Sequence, residues 1–158
     1  MMIRAFIDDD LPAVHAIQSK CPGAAQWQKD DYLRLAGDPC GMILVAELAL
    51  AKPPHIVGFA AFHRVIAEVE LRNLAVEPAQ QRRGVARSLL QGGIRELQES
   101  GARRIFLEVR ASNHPALALY ASLGFRLHST REDYYQGPVE DALLMALDIL
   151  PPSEIPNR

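Results

Sequence analysis

The sequence predicts an α/β domain of the α+β kind, a mixed β-sheet with helices packed against it. Three observations carry this. Apolar runs of strand length recur from the N-terminus to Asp148, separated by breaks rich in Pro, Gly and Asp. Stretches with apolar residues at helical spacing fall between those runs. The chain has 158 residues, 49% of them apolar, which suffices for one domain with a substantial core.

Taken in order, Met2 to Phe6 reads as a short first strand. Asp8 or Asp9 caps a helix running to about Lys20, with Leu11, Val14 and Ile17 on one face. A second helix covers Gln26 to Ala36, ended by Gly37-Asp38-Pro39. Gly41 to Leu50 and Ile56 to Val65 read as antiparallel neighbours with a tight connection at Lys52-Pro-Pro-His55, and Val69 to Val76 as a further strand. The helix from Gln81 to Glu99 buries a stripe of Val85, Leu89, Ile94 and Leu97, and Gly101 stops it. On the strand Arg104 to Arg110, Ile105, Leu107 and Val109 face one way, and Phe106, Glu108 and Arg110 the other. Asn113 caps a helix that has Pro115 in its first turn, carries Leu117, Tyr120 and Leu123, and ends at Gly124. Phe125 to His128 and Ala142 to Asp148 are closing strands around a polar, aromatic loop from Thr130 to Glu140. The sum is about seven strands and about four helices in a single domain spanning 1–150, with 151–158 expected as a flexible tail.

Several function classes lack support. A net charge of −2 argues against a general nucleic-acid binder. The longest apolar run, Gly41 to Ala46, is too short to span a bilayer, and the acidic residues after Ile7 do not suit a signal peptide. Cys21 and Cys40 have no metal-ligand spacing; reduced thiols in a cytoplasmic protein are expected, with a disulfide as the alternative. His15, His55, His63, His114 and His128 form no zinc-binding pattern, so no metal is expected. Neither a Gly-x4-Gly-Lys phosphate loop nor a Gly-x-Gly-x-x-Gly dinucleotide turn occurs.

What remains is Glu77-Pro-Ala-Gln-Gln-Arg-Arg-Gly-Val-Ala-Arg-Ser-Leu-Leu90, a strand end, a turn and a helix start. Small residues at Gly84 and Ala86 let backbone N–H groups approach an anion, and the helix N-terminus adds partial positive charge. Alone, the turn reads sooner as a tight helix entry. With Leu71-Arg-Asn-Leu-Ala-Val-Glu-Pro78 before it and Leu107-Glu-Val-Arg-Ala-Ser-Asn-His-Pro-Ala-Leu-Ala-Leu-Tyr-Ala-Ser-Leu-Gly-Phe125 after it, the chain resembles the GNAT family of acetyl-CoA-dependent N-acetyltransferases. Within that family it is most similar to the RimI-type branch, which acetylates the N-terminal alanine of ribosomal protein S18. Glu108-Val-Arg-Ala-Ser-Asn113, Tyr134-Tyr135 and Met145-Ala-Leu147 carry that likeness, while the loop from Tyr135 to Glu140 is slightly shorter than is typical of the branch.

The resemblance implies a mostly antiparallel, twisted sheet whose central strands splay apart. It implies that Leu74, Ala75 and Val76 offer backbone hydrogen bonds to the pantetheine arm of acetyl-CoA. Arg82, Arg83, Gly84, Val85, Ala86 and Arg87 would surround the pyrophosphate, and Asn113 would touch the cofactor. Glu108 would be the general base and Tyr120 the general acid. Acetyl transfer needs both, because an α-amino group of pKa ~8 is mostly ammonium at neutral pH and the leaving thiolate needs a proton. Glu70 is the competing base. Read without the family, Glu108 is an exposed strand glutamate, Tyr120 a packing residue, and Arg82-Arg83 a solvated pair.

Trp27, Tyr134 and Tyr135 are expected at the acceptor entrance, with a core anchor as the equal alternative for Trp27. Glu132, Asp133, Glu140 and Asp141 would attract a basic protein N-terminus, as ribosomal protein S18 would present. The expected protein is a monomer or weak dimer. A small-molecule amine acceptor and a non-catalytic CoA-binding module are the rival readings.

Overall fold

The computed structural model describes residues 1–50 and 52–155. Strands are β1 (Met2–Ala5), β2 (Gly41–Leu48), β3 (His55–Val65), β4 (Glu68–Val76), β5 (Arg104–Arg110), β6 (Arg126–Tyr135) and β7 (Glu140–Asp148). Helices are α1 (Leu11–Ser19), α2 (Lys29–Ala36), α3 (Val85–Glu99) and α4 (His114–Ser122). The strands form one sheet in the order β1-β2-β3-β4-β5-β7-β6. Every neighbour pair is antiparallel except β4–β5, which is parallel.

The sheet separates two cores. On one face α3 and α4 cover Leu44, Phe62, Val69, Leu71, Ile105 and Leu107. On the other, α1 and α2 cover Ile43, Val45, Phe59, Ala61 and Ala75 through Val14, Ile17, Tyr32 and Leu35. α3 seats itself closely because Gly93 meets the Phe62 ring; a Cβ there would lie 2.5 Å from Phe62 Cζ. At the first edge, the Arg4 guanidinium pairs with both oxygens of Asp10 at 2.8 and 2.9 Å and with Glu47. That tie joins β1, β2 and the short helical turn Asp8–Asp10.

Several expected boundaries shift, by one residue or two at most strand ends and for clear reasons at four places. α1 starts at Leu11 because Asp8–Asp10 forms its own turn, in which the Asp10 carboxylate accepts the Ile7 N–H at 2.9 Å. α2 starts at Lys29, not Gln26. The Ala25 backbone is bonded to Asn73 and the Gln26 amide donates to Cys21 and Ala24 carbonyls, so these contacts keep the chain before Gln28 out of a helix. α3 starts at Val85, after a separate turn at Pro78–Gln80. β6 runs on to Tyr135, so the expected polar loop is largely strand. Its residues are exposed almost throughout, and an edge strand with no buried face carries no alternating pattern to read.

A bulge at Arg72 matters for the site. Ala61 pairs with Asn73 but Phe62 pairs with Leu71, so β4 carries one extra residue. Val69 and Leu71 face the α3–α4 core; beyond the bulge Leu74 and Val76 do, and Asn73 and Ala75 turn to the α1–α2 face.

Candidate active site

β4 and β5 pair only at Glu68↔Arg104, Val69↔Ile105 and Glu70↔Phe106. Beyond that, β4 continues to Val76 bonded to β3, and β5 continues to Arg110 bonded to β7. The two strands part, and their facing backbone edges border a wedge-shaped slot. Strand alternation decides which groups look into it. Glu77 N–H donates to Val57 O of β3 at 2.8 Å. Val76 therefore points away from β3, Ala75 toward it, and Leu74 away. The Val76 carbonyl is engaged from the far side by the Cys21 thiol at 3.2 Å and the Gln81 amide at 3.1 Å. The N–H groups of Leu74 and Val76 and the carbonyl of Leu74 thus face the slot, while the backbone of Ala75 belongs to the β3 ladder. Cys21 is a buried free thiol and Cys40 an exposed one.

At the end of β4 the chain turns through Arg82 at φ 62° and Gly84 at φ 81°. A left-handed residue on either side of Arg83 bends successive backbone N–H groups toward one concavity that suits an anion, and the first amides of α3 have no intrahelical partners. A Cβ at Gly84 would meet nothing within 4 Å, so glycine serves the backbone conformation there and leaves open space beside the amides. Arg82 and Arg83 are exposed and make no ion pair among the described residues. Arg87 turns sideways, donating to the Ser122 hydroxyl of α4 at 2.8 Å. Asn113 caps α4 by accepting the Ala116 N–H at 3.3 Å, which leaves its side-chain NH2 free of that role.

Tyr120 projects from α4 into the α3–α4 core, 7% exposed, its ring 5.7 Å from Phe125. Burial pushes its phenol up to about 12, so it stays protonated at neutral pH. Glu108 lies on the opposite face of β5, its side chain 27% exposed and 3.4 Å from Arg131. A group can touch both only by passing beside β5 where β4 has left it. Glu108 sits just past the last paired residue, Phe106.

The open face holds a cavity of about 290 Å³ lined by Glu108, Glu70, Glu68, Phe106, Leu144 and Arg131, among others. Both carboxylates considered as base thus share one cavity. Glu70 is the more exposed, at 57%, and pairs with Arg72 at 3.3 Å.

Of the residues expected at the acceptor entrance, Trp27 lies in the segment before α2, partly buried, with its ring 5.1 Å from Tyr32. It is both an anchor on the α1–α2 core and partly open. Tyr134 and Tyr135 stack edge-to-face at 5.2 Å at the end of β6, under Arg131 at 5.3 Å and Arg110 at 4.1 Å respectively. Burial, and then the charge of Glu108, raise the Tyr135 phenol. The loop carboxylates are less free than the sequence implies. Glu140 is held by the Ser112 hydroxyl and Arg110, each at 3.0 Å, which keeps it below its ordinary value. Asp141 accepts the Asp133 N–H at 3.0 Å. Glu68, Glu70 and Glu108 are the carboxylates that share the cavity. Sequence reasoning missed Arg131 and Asn73. Nothing but strand register brings Arg131 to Glu108; an Asn directly before the apolar run Leu74–Val76 was the available signal for Asn73.

Among the described residues no three His, Cys, Asp or Glu side chains gather as metal ligands, and no helix is long and apolar enough to cross a membrane.

Comparison with known proteins agrees with this geometry. The profile of the Acetyltransferase (GNAT) family matches residues 11–125. The [ribosomal protein bS18]-alanine N-acetyltransferase of Salmonella typhimurium is 40% identical over 143 residues, covering 89% of this chain and 92% of that one. The protein of the same description from Escherichia coli is 37% identical over 142 residues, with the same coverage. The crystal structure of the ribosomal-protein-S18-alanine N-acetyltransferase from Escherichia coli superposes with a TM-score of 0.83 at 33% identity over 99% of both chains.

Proposed function

This chain belongs to the GNAT family and is an acetyl-CoA-dependent N-acetyltransferase, and from that membership we propose that its acceptor is a protein N-terminal α-amino group, that of an alanine in ribosomal protein S18. The observation that supports the reading is the parting of β4 and β5, with Glu108 on one face of β5 and Tyr120 packed against the other.

Acetyl-CoA supplies an acyl group already activated as a thioester. The chain's residues do the rest. Amides from Arg82 to Arg87 receive the pyrophosphate, with the guanidinium groups of Arg82 and Arg83 adding charge-assisted contacts. Leu74 and Val76 offer N–H donors along the slot, which suit the pantetheine arm and the thioester oxygen. Asn113 offers its side-chain NH2 to the cofactor. Glu108 takes a proton from the α-ammonium so that the amine can attack the acyl carbon. As the C–S bond breaks, Tyr120 gives its proton to the sulfur, a step that suits a phenol kept protonated by burial; the acylated nitrogen sheds its second proton to solvent, from which the phenolate is reprotonated. Trp27, Tyr134 and Tyr135 border the acceptor path. The exposed edge of β6 leaves that path open at one side, which favours a chain-like acceptor over a small amine.

Thiol release from acetyl-CoA in the presence of an Ala-starting peptide tests this, with the modified atom located by mass spectrometry. Acetylation of the α-nitrogen is the expected result, faster for a basic N-terminal segment than for an acidic one, and increasingly so at low salt. Release that depends on polyamines but not on peptides overturns the acceptor.

A further inference from the structure

Asn73 is the one buried polar side chain of β4, 4% exposed, set between Arg72 and the apolar run Leu74–Val76. Simple alternation from Val69 and Leu71 would aim its amide into the α3–α4 core, where an unpaired amide is costly. The bulge at Arg72 reverses the phase and turns it to the other face. There Oδ1 accepts the Ala25 N–H at 3.1 Å, while Nδ2 donates to the Ala25 carbonyl at 3.0 Å and to the Tyr32 hydroxyl at 3.1 Å. The Tyr32 hydroxyl donates to Gln18 Oε1, and Gln18 Nε2 donates to the Trp27 carbonyl at 2.9 Å. Gln18 and Tyr32 are as buried as Asn73, at 3% and 0% exposed. The backbone on either side of Gln26 is therefore pinned by one closed hydrogen-bond network, and the Trp27 ring leans on its central tyrosine.

Apolar contact alone would let Trp27 slide across the α1–α2 core; directional bonds to the backbone specify one position. We propose that Asn73 is a positioning residue for the acceptor: through Ala25 it fixes residues 24–27 as a rigid wall on the β4 side of the slot, and so sets the room left for the acceptor's first side chain. This rests on the reading of Trp27 as lining the acceptor path. The re-aiming of Asn73 gives the bulge a purpose, since it trades a ladder position for a side chain that places the wall.

Trp27 is the sole tryptophan, so its fluorescence reports on that wall directly. In Asn73→Ala, acrylamide quenching of Trp27 should rise several-fold. The KM for an Ala-starting peptide should rise with acetyl-CoA affinity unchanged, and the preference for Ala over Leu as first residue should narrow. Trp27→Leu should narrow it likewise, and the double variant should add little more, because both changes remove the same wall. A variant that melts earlier yet keeps wild-type quenching, peptide KM and selectivity reduces Asn73 to a fold-stabilising residue and overturns the proposal; so do additive effects in the double variant. Should wild-type enzyme modify no peptide, the acceptor reading falls, while quenching still decides whether Asn73 places Trp27. Should Asn73→Ala not fold, Tyr32→Phe breaks the same network by one hydroxyl. It should shift quenching and peptide KM in the same direction, and unchanged values there refute the inference.

Discussion

Removing one oxygen from Tyr120 separates its chemistry from its packing. The ring fills the α3–α4 core beside Phe125, 7% exposed, and no hydrogen bond among the described residues engages its hydroxyl. Tyr120→Phe keeps the ring and leaves no protein group unpaired, so stability should change by less than about 1 kcal/mol. For a chain of this size that is a Tm shift of roughly 2–4 °C at most. Catalysis should respond differently. A positioned general acid contributes ~10²–10⁴-fold, so kcat should fall at least ~100-fold, or about 2.7 kcal/mol in the barrier. Acetyl-CoA affinity should not change. The assay pairs thiol release under saturating acetyl-CoA with a thermal melt and calorimetric titration of acetyl-CoA. Because burial holds the wild-type phenol near about 12, kcat should show no decline due to Tyr120 up to about pH 10, the ordinary tyrosine pKa. Phe at 120 with near-normal kcat, or a large fall in Tm with the activity lost in proportion, would refute the acid role. Tyr120→Ala is uninformative, since emptying that site costs about 3–5 kcal/mol and confounds the two effects.

Glu108→Gln should lower kcat by ~100-fold or more with acetyl-CoA affinity intact, whereas Glu70→Gln, in the same cavity, should have a smaller effect; the reverse ranking in parallel kinetics moves the base to Glu70. Gly84→Ala forces an L-residue to φ 81°, a strain of about 1–2 kcal/mol without any steric clash, so acetyl-CoA binding should weaken through a displaced turn while Tm falls only slightly. Arg4→Met leaves the carboxylates of Asp10 and Glu47 without their cation and should destabilise by about 3 kcal/mol in urea unfolding at neutral pH. Burial works to raise Asp10, but its bonds to Arg4 and the Ile7 N–H outweigh this and hold it below its ordinary value. Ionised Asp10 therefore stabilises the fold above the ordinary carboxylate pKa of ~4, and that contribution is lost as pH falls further. The acid sensitivity of unfolding should shrink in Arg4→Met, and an unchanged profile would contradict the assignment.

Local patterning accounts for how far the residues could be read directly. Among the described residues, the helices and the strands other than β6 follow from periodicity, because a residue's phase on a buried strand or helix is set within a few positions. The turn at Gly84 and the alternation on β5 are equally local, and both stand where the order of residues put them. So is the motif set around 69–125 that marks the GNAT family, since a phosphate turn and its flanking strand are continuous in the chain.

Folding in three dimensions decided the rest. That β4 and β5 part after Glu70 and Phe106 depends on two strands remote in sequence, and no local signal marks where a parallel pairing stops. The pairing of Glu140 with Arg110 and the approach of Arg131 to Glu108 join residues that meet only through sheet register, and the clamp of Asn73 on Ala25 joins a strand to a remote connection packed over it. A bulge of one residue at Arg72 changed which face Asn73 serves, and a one-residue phase change cannot be read from composition on either side of it. Side-chain type and spacing are properties of the chain, but charge pairing and direction belong to the contacts, and those exist only once distant strands lie side by side.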